Sequence, residues 1–263
     1  MTLRGLRRRR SVKINDKAVS EAIGFVLILG IVISGIGLVT LYGYPVLIKE
    51  QSNTDVKNME RAMIVIQNDM KSLCYKNVPY KETSLQVSGG TLEVVTGSSY
   101  GGTINISNGT HFWEYSPGAL VYRSDRGTEV ITLENGAVMT RQEDSTGSAM
   151  LAEPRWFYDN KTGENTSVIY IMTLISDEPM AKSGMGAVRM SLESTNMLPP
   201  IPVPSGTASV NYTSGSSGNY SVAWENYLTS SSVGMNKIPS GKYERKYVDR
   251  LVIKEYRIKI HDI

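Results

Sequence analysis

From Ala22 to Ile48 the chain reads AIGFVLILGIVISGIGLVTLYGYPVLI, twenty-seven residues without a formal charge. At a helical rise of about 1.5 Å per residue this run is roughly 40 Å long, enough to cross a hydrocarbon core of about 30 Å with some tilt. A secretory signal carries an apolar stretch of only about 7 to 15 residues and a small-residue cleavage site behind it. This run is longer, and Pro45, Lys49 and Glu50 stand where such a site belongs. Up to Ala18 the leader ahead of it carries Arg4, Arg7, Arg8, Arg9, Arg10, Lys13 and Lys17 against Asp16 alone. The positive-inside bias therefore predicts a cytoplasmic amino terminus and an exterior location for everything after about Ile48.

The junction between leader and run reads Lys17-Ala18-Val19-Ser20-Glu21-Ala22-Ile23-Gly24-Phe25. A basic residue followed by a small one, placed before the hydrophobic segment, resembles the class III signal peptide of archaeal type IV pilins and archaellins. The wider stretch from Ala18 to Gly90 is similar to archaeal pilin-like proteins with one membrane helix and a β-rich ectodomain. The resemblance implies a partner, a membrane-embedded prepilin peptidase, that cuts between Ala18 and Val19 and leaves 245 residues with the apolar helix retained. It further implies like subunits as partners in a filament. The competing reading is an uncleaved type II anchor whose Lys17 and Ala18 flank the membrane by chance.

Glu21 fits either reading. In bacterial pilins a glutamate near the mature start pairs with a terminal ammonium, but here it would be the third mature residue, not the fifth. An interfacial carboxylate favoured by the helix macrodipole accounts for it equally well. Within the span, Gly30 and Ser34 form a small-xxx-small pair of the kind that lets membrane helices pack closely. Tyr42 and Tyr44 stand where an interfacial aromatic belt falls, and Pro45 should disturb the helix at its exit.

Beyond the span, Val56, Met59, Met63, Ile66, Met70 and Leu73 recur at intervals of three and four, with charged and polar residues between them. That is an amphipathic helix of about five turns. Its stripe is short for a coiled coil and is widened by Ile64 and Val65, so it is read as the face that docks on the chain's own ectodomain. The segments follow as a leader over 1–18, a transmembrane helix over 19–48, an amphipathic helix over 49–76 and a β-rich extracellular domain over 77–263.

From about Lys81 the period falls to two. Ser84 to Val95 reads as a hairpin around Gly89-Gly90, and Asn108-Gly109 and Asn135-Gly136 mark further tight turns. Val168 to Ile175 is apolar on both faces and predicts a central strand, whereas Tyr256, Ile258 and Ile260 alternate with polar residues in a closing strand. Asn219 to Thr229 carries Tyr220, Ala223, Trp224, Tyr227 and Leu228 on one helical face. Met197 to Pro204 holds four prolines and Ser205 to Gly218 is rich in Ser and Gly, which predicts an exposed loop. The fold class expected is α+β: a long N-terminal helix, then an antiparallel sandwich or open barrel with one short helix.

Composition narrows the function. The net charge of +3 resides in the leader, where seven basic residues face one acid, so the chain after Ala18 carries about −3. A nucleic-acid partner gains no support. The one cysteine, Cys74, excludes an internal disulfide and reads as a buried thiol. Six sequons, at Asn105, Asn108, Asn160, Asn165, Asn211 and Asn219, are candidate N-glycan acceptors, with Asn219 also placed to cap a helix. His111 and His261 have no ligand partners at metal spacing, and no phosphate loop or nucleophile elbow is visible, so no cofactor, metal or catalytic residue is expected. His111, Phe112, Trp113 and Tyr115 form an aromatic cluster that reads first as hairpin packing and second as a surface for carbohydrate or a neighbour.

The sequence thus reads as a pilin-like archaeal surface protein: a filament subunit, a minor pilin or an envelope-associated adhesion module. The alternative is a monomeric anchored ectodomain that binds a glycan, another ligand or the surface layer.

Overall fold

A computed structural model describes residues 16–76, 78–160 and 163–263. The chain divides into two compact units, Met1–Gln51 and Ser52–Ile263. Residues 1–15 of the expected leader lie outside the described residues.

In the first unit, helix α1 spans Asp16–Leu38 and a π-helical turn spans Val39–Gly43, after which helix α2 begins, Tyr44–Lys76. The π turn sits one residue ahead of Pro45. Proline lacks an N–H, and its ring collides with the carbonyl four residues earlier, so an α-helical ladder cannot continue through it unaltered. Here the Tyr44 N–H reaches back to the Val39 carbonyl, and the Thr40 hydroxyl donates to the Ile36 carbonyl at 2.9 Å. The exit predicted to be disturbed is therefore widened and not broken. Apolar side chains from Ile23 to Leu47 are exposed around the helix, which is long and apolar enough to cross a membrane.

The second unit is built on a mixed ten-stranded sheet. Its strands are β1 (Tyr80–Val95), β4 (Ala119–Ser124), β5 (Glu129–Glu134), β6 (Ala137–Gln142), β7 (Ser148–Ala152), β8 (Trp156–Asp159), β9 (Thr166–Ile175), β10 (Met180–Met197), β11 (Ile201–Pro202) and β15 (Arg250–Asp262). They run in the order β7-β6-β5-β4-β1-β10-β15-β9-β8, and β11 adds to β15. A second sheet of five strands, ordered β13-β14-β12-β2-β3, is formed by β2 (Thr103–Ser107), β3 (Phe112–Tyr115), β12 (Thr207–Thr213), β13 (Asn236–Lys237) and β14 (Tyr243–Lys246). Two short helices complete the fold, α3 (Gly97–Tyr100) and α4 (Ser221–Leu228). The α+β class expected from sequence is the class observed, and neither sheet closes.

The large sheet is buried on both faces, and strand alternation shows how. Tyr256, Ile258 and Ile260 of β15 join Met172 and Leu174 of β9 in one core, together with Val56, Met59, Met63, Ile66, Met70 and Leu73 of α2. Leu251, Ile253, Ile169 and Ile171 point to the opposite core, where they meet Ile104, Ile106, Ala208 and Val210 of the small sheet and Ala223, Trp224, Tyr227 and Leu228 of α4. The amphipathic stripe thus docks on its own domain, while Val65 remains half exposed.

Three expectations are corrected. Ser84–Val95 is no hairpin: β1 continues straight through Gly89-Gly90, with a register shift between Val87 and Leu92. The irregularity flips the facing, so Leu85 and Val87 before it and Leu92 and Val94 after it all enter one core. Ser205–Gly218 is not simply a loop, because Thr207–Thr213 is an interior strand paired with both β2 and β14. The antiparallel expectation fails at one pair, β15 with β9, which run parallel from Arg250/Thr166 to Lys259/Ile175. The expected central strand β9 does lie inside the sheet, and Asn135-Gly136 does form the two-residue β5–β6 turn, with both residues at positive φ (49° and 72°).

Candidate functional site

Lys17, Ala18 and Val19 of the predicted cleavage junction lie in α1, which begins at Asp16. Glu21 is exposed on the same helix. Gly30 and Ser34 are exposed one turn apart, and a Cβ built on Gly30 would meet nothing within 4 Å. A small-residue face is thus open on this helix.

The six sequon asparagines do not share one environment. Asn160 and Asn219 are exposed, and Asn165 is half-buried. Asn219 Oδ1 accepts from the Ser221 N–H at 2.9 Å, but the N-cap of α4 is Tyr220, so Asn219 closes a turn one residue ahead of the helix and does not cap it. Asn108 is a correction: only 4 % exposed, it donates from Nδ2 to the Pro202 carbonyl at 3.0 Å, and its Oδ1 accepts from the N–H groups of Thr110 and His111. Its side chain staples the β2–β3 loop, and the nitrogen a glycan would need is already engaged. Asn105 and Asn211 are directly paired across β2 and β12, in the interior of the small sheet.

The aromatic cluster separates by strand alternation. Trp113 and Tyr115 pack against the core of the small sheet, whereas Phe112 on edge strand β3 is 73 % exposed and His111 is exposed beside it. Asn105, Ile106, Ser107, Phe112, Ser209, Asn211 and Lys242 line a cavity of about 200 Å³. His261 bonds Ser191 Oγ at 2.8 Å through Nε2. Among the described residues no group of three or more His, Cys, Asp or Glu side chains gathers to hold a metal ion.

A polar centre that sequence reasoning missed lies between the sheets. Glu134, at the end of β5, is fully buried, and its Oε2 accepts from the Tyr100 hydroxyl at 2.9 Å and the Tyr212 hydroxyl at 3.0 Å. Tyr100 also bonds Ser217 Oγ at 3.0 Å. Desolvation pushes the Glu134 carboxyl up to about 7, against the two tyrosine donors, which favour its ionised form. Next to it, Asn135 Oδ1 accepts from the Met172 N–H at 2.8 Å, and Gln67 Nε2 donates to the Gly136 carbonyl at 2.6 Å and the Glu153 carbonyl at 3.0 Å. The tight turn at Asn135-Gly136 is thus clasped by α2 and β9, beside the bond that Tyr212 of the small sheet makes to Glu134. Burial also pushes the Cys74 thiol up to about 12.

The described residues thus define an α+β protein class in which a helix long and apolar enough to cross a membrane is joined in sequence to a β-rich domain with two sheets. The chain belongs to the family of unknown function DUF7289, which matches residues 17–258. No curated protein and no solved structure matches it.

Proposed function

We propose that this chain is a pilin-like surface protein of archaeal type. It is inserted with its basic leader in the cytoplasm, cut between Ala18 and Val19, and held by the apolar helix with the β-rich domain outside. It then serves as a filament subunit, a minor pilin or an envelope-associated adhesion module. One observation carries the reading: an exposed apolar helix long enough to span, directly preceded by the Lys17-Ala18 junction. Two features support it. The family match covers residues 17–258, a range that takes in the junction, the apolar helix and nearly all of the β-rich domain. The exposed Gly30 and Ser34 leave a face on which a like helix can pack. Asn160, Asn165 and Asn219 are the sequons best placed for glycans.

The second reading, an anchored ectodomain that binds a ligand without polymerising, is favoured by the groove around Phe112. The amino-terminal sequence and intact mass of the membrane-extracted native protein test the first. A start at Val19 supports prepilin-type processing and makes isolation of filaments the next step. A start at Met1 or Thr2 overturns the cleavage and leaves the anchored ectodomain.

A further inference from the structure

The small sheet turns Ile104, Ile106, Ala208 and Val210 inward, so the alternate positions of β2 and β12 face away from the core. That outward face is uncharged at its centre. Asn105 stands opposite Asn211, and Ser107 opposite Ser209. Phe112, paired with Ser107 across the β2–β3 ladder, sets an exposed ring at one side, and exposed Lys242 lines the groove as well.

Two features are hard to explain as packing. The Phe112 ring is 73 % exposed on an edge strand although its neighbours Trp113 and Tyr115 are packed inward. Asn105 Oδ1 is buried with no hydrogen-bond partner among the described residues, an arrangement that costs stability in a folded protein unless something completes it. An apolar ring beside carboxamides and hydroxyls matches a molecule with an apolar face and an edge of hydroxyls. The cavity of about 200 Å³ is ring-sized, smaller than the roughly 300 Å³ at which drug-sized pockets begin.

We propose that this groove is a saccharide-binding site that takes one neutral pyranose ring, stacked on Phe112 and hydrogen-bonded by Asn105 and Asn211. A neutral sugar is chosen because the charged residues flanking the face are of both signs: Lys242 at the groove, and Glu114 opposite Asn105 on β3. The Asn105 and Asn211 amides then act as sugar contacts and are not glycan acceptors. The site stands on the sheet's own geometry, whether or not the chain assembles into filaments.

The test is saturation-transfer NMR with methyl β-D-glucopyranoside, methyl β-D-galactopyranoside and methyl β-D-glucuronide, on the full chain in nanodiscs free of glycolipid and glycosidic detergent. Saturable binding of a neutral pyranoside is expected, weakened about tenfold or more by Phe112→Ala and by Asn211→Leu and retained by Phe112→Trp. Thermal unfolding of each variant checks that the fold persists, and the exposed Phe112 is the position least able to disturb it. Three results overturn the proposal: no neutral sugar binds the folded chain; binding is indifferent to both weakening variants; or the glucuronide binds more tightly than either neutral sugar. Peptide mapping of the native protein gives a fourth, since a glycan attached at Asn105 or Asn211 would make the groove an acceptor site.

Discussion

The Tyr212 hydroxyl donates to Glu134 Oε2 at 3.0 Å, and this bond ties the two sheets together, because Tyr212 belongs to β12 of the small sheet and Glu134 to β5 of the large one. Tyr100, from α3, donates to the same oxygen, so one buried carboxyl gathers three separate parts of the chain.

Stability should fall as pH rises through neutrality. Burial raises the folded-state Glu134 pKa to about 7 from an ordinary value of 4.5. Its contribution is fully present below about pH 4.5 and is lost as pH rises through about 7, an effect on the order of 3 kcal/mol at about 1.4 kcal/mol per unit. Chemical denaturation across pH 5 to 8.5 measures it. Glu134→Gln should flatten the dependence, and an equally steep profile in that variant would assign the effect to another group.

Met63 is fully buried between α2 and the large sheet. Met63→Ala should cost about 2–5 kcal/mol through lost transfer energy and the cavity left behind. Val65→Ala, two residues on and half exposed, should stay within about 0.5 kcal/mol. Similar losses in both variants would mean that the stripe does not carry the docking.

Gly90→Ala should destabilise the domain strongly. A Cβ there would collide with the Arg123 carbonyl and the Tyr122 ring, where Gly90 pairs with Ser124 of β4. Overpacking of this kind costs about 1–3 kcal/mol and sometimes more. An unchanged denaturation midpoint would show that β1 does not pass so close.

The Cys74 thiol should resist maleimide in the folded protein, since it is 4 % exposed and burial holds it mostly protonated at neutral pH. Labelling should appear only with denaturant, in step with unfolding. Rapid labelling of the native protein would place the end of α2 in solvent.

Glycopeptide mapping should find Asn108 unmodified, because both ends of its amide hold the β2–β3 loop. Asn108→Ala should cost about 1–3 kcal/mol by leaving buried partners unpaired. A glycan at Asn108 in the native protein would contradict the loop geometry.

The apolar run, the α2 stripe, the inward side of β15 and the apolar face of α4 were legible because each is a local period, and a period of two, three or four can be counted along the chain. Thr207–Thr213 escaped for the complementary reason. Its Ala208, Val210 and Tyr212 alternate, but Ser and Gly around them read as loop, and the strand becomes interior only through pairing with β2 and β14. Gly89-Gly90 misled because a hairpin and a bulge impose the same change of phase, and only the β10 and β4 partners distinguish them.

By itself the sequence determined a long apolar helix, a docked amphipathic helix and a β-rich body, since these follow from how apolar residues run and repeat over a few turns or strands. Only the tertiary structure decided the sites. It buried Glu134 beside Tyr100 and Tyr212, and it set Asn105 opposite Asn211 with Phe112 alongside. Neighbours of that kind are chosen by sheet pairing and layer packing between distant segments, and no local pattern in the chain records which segments those will be.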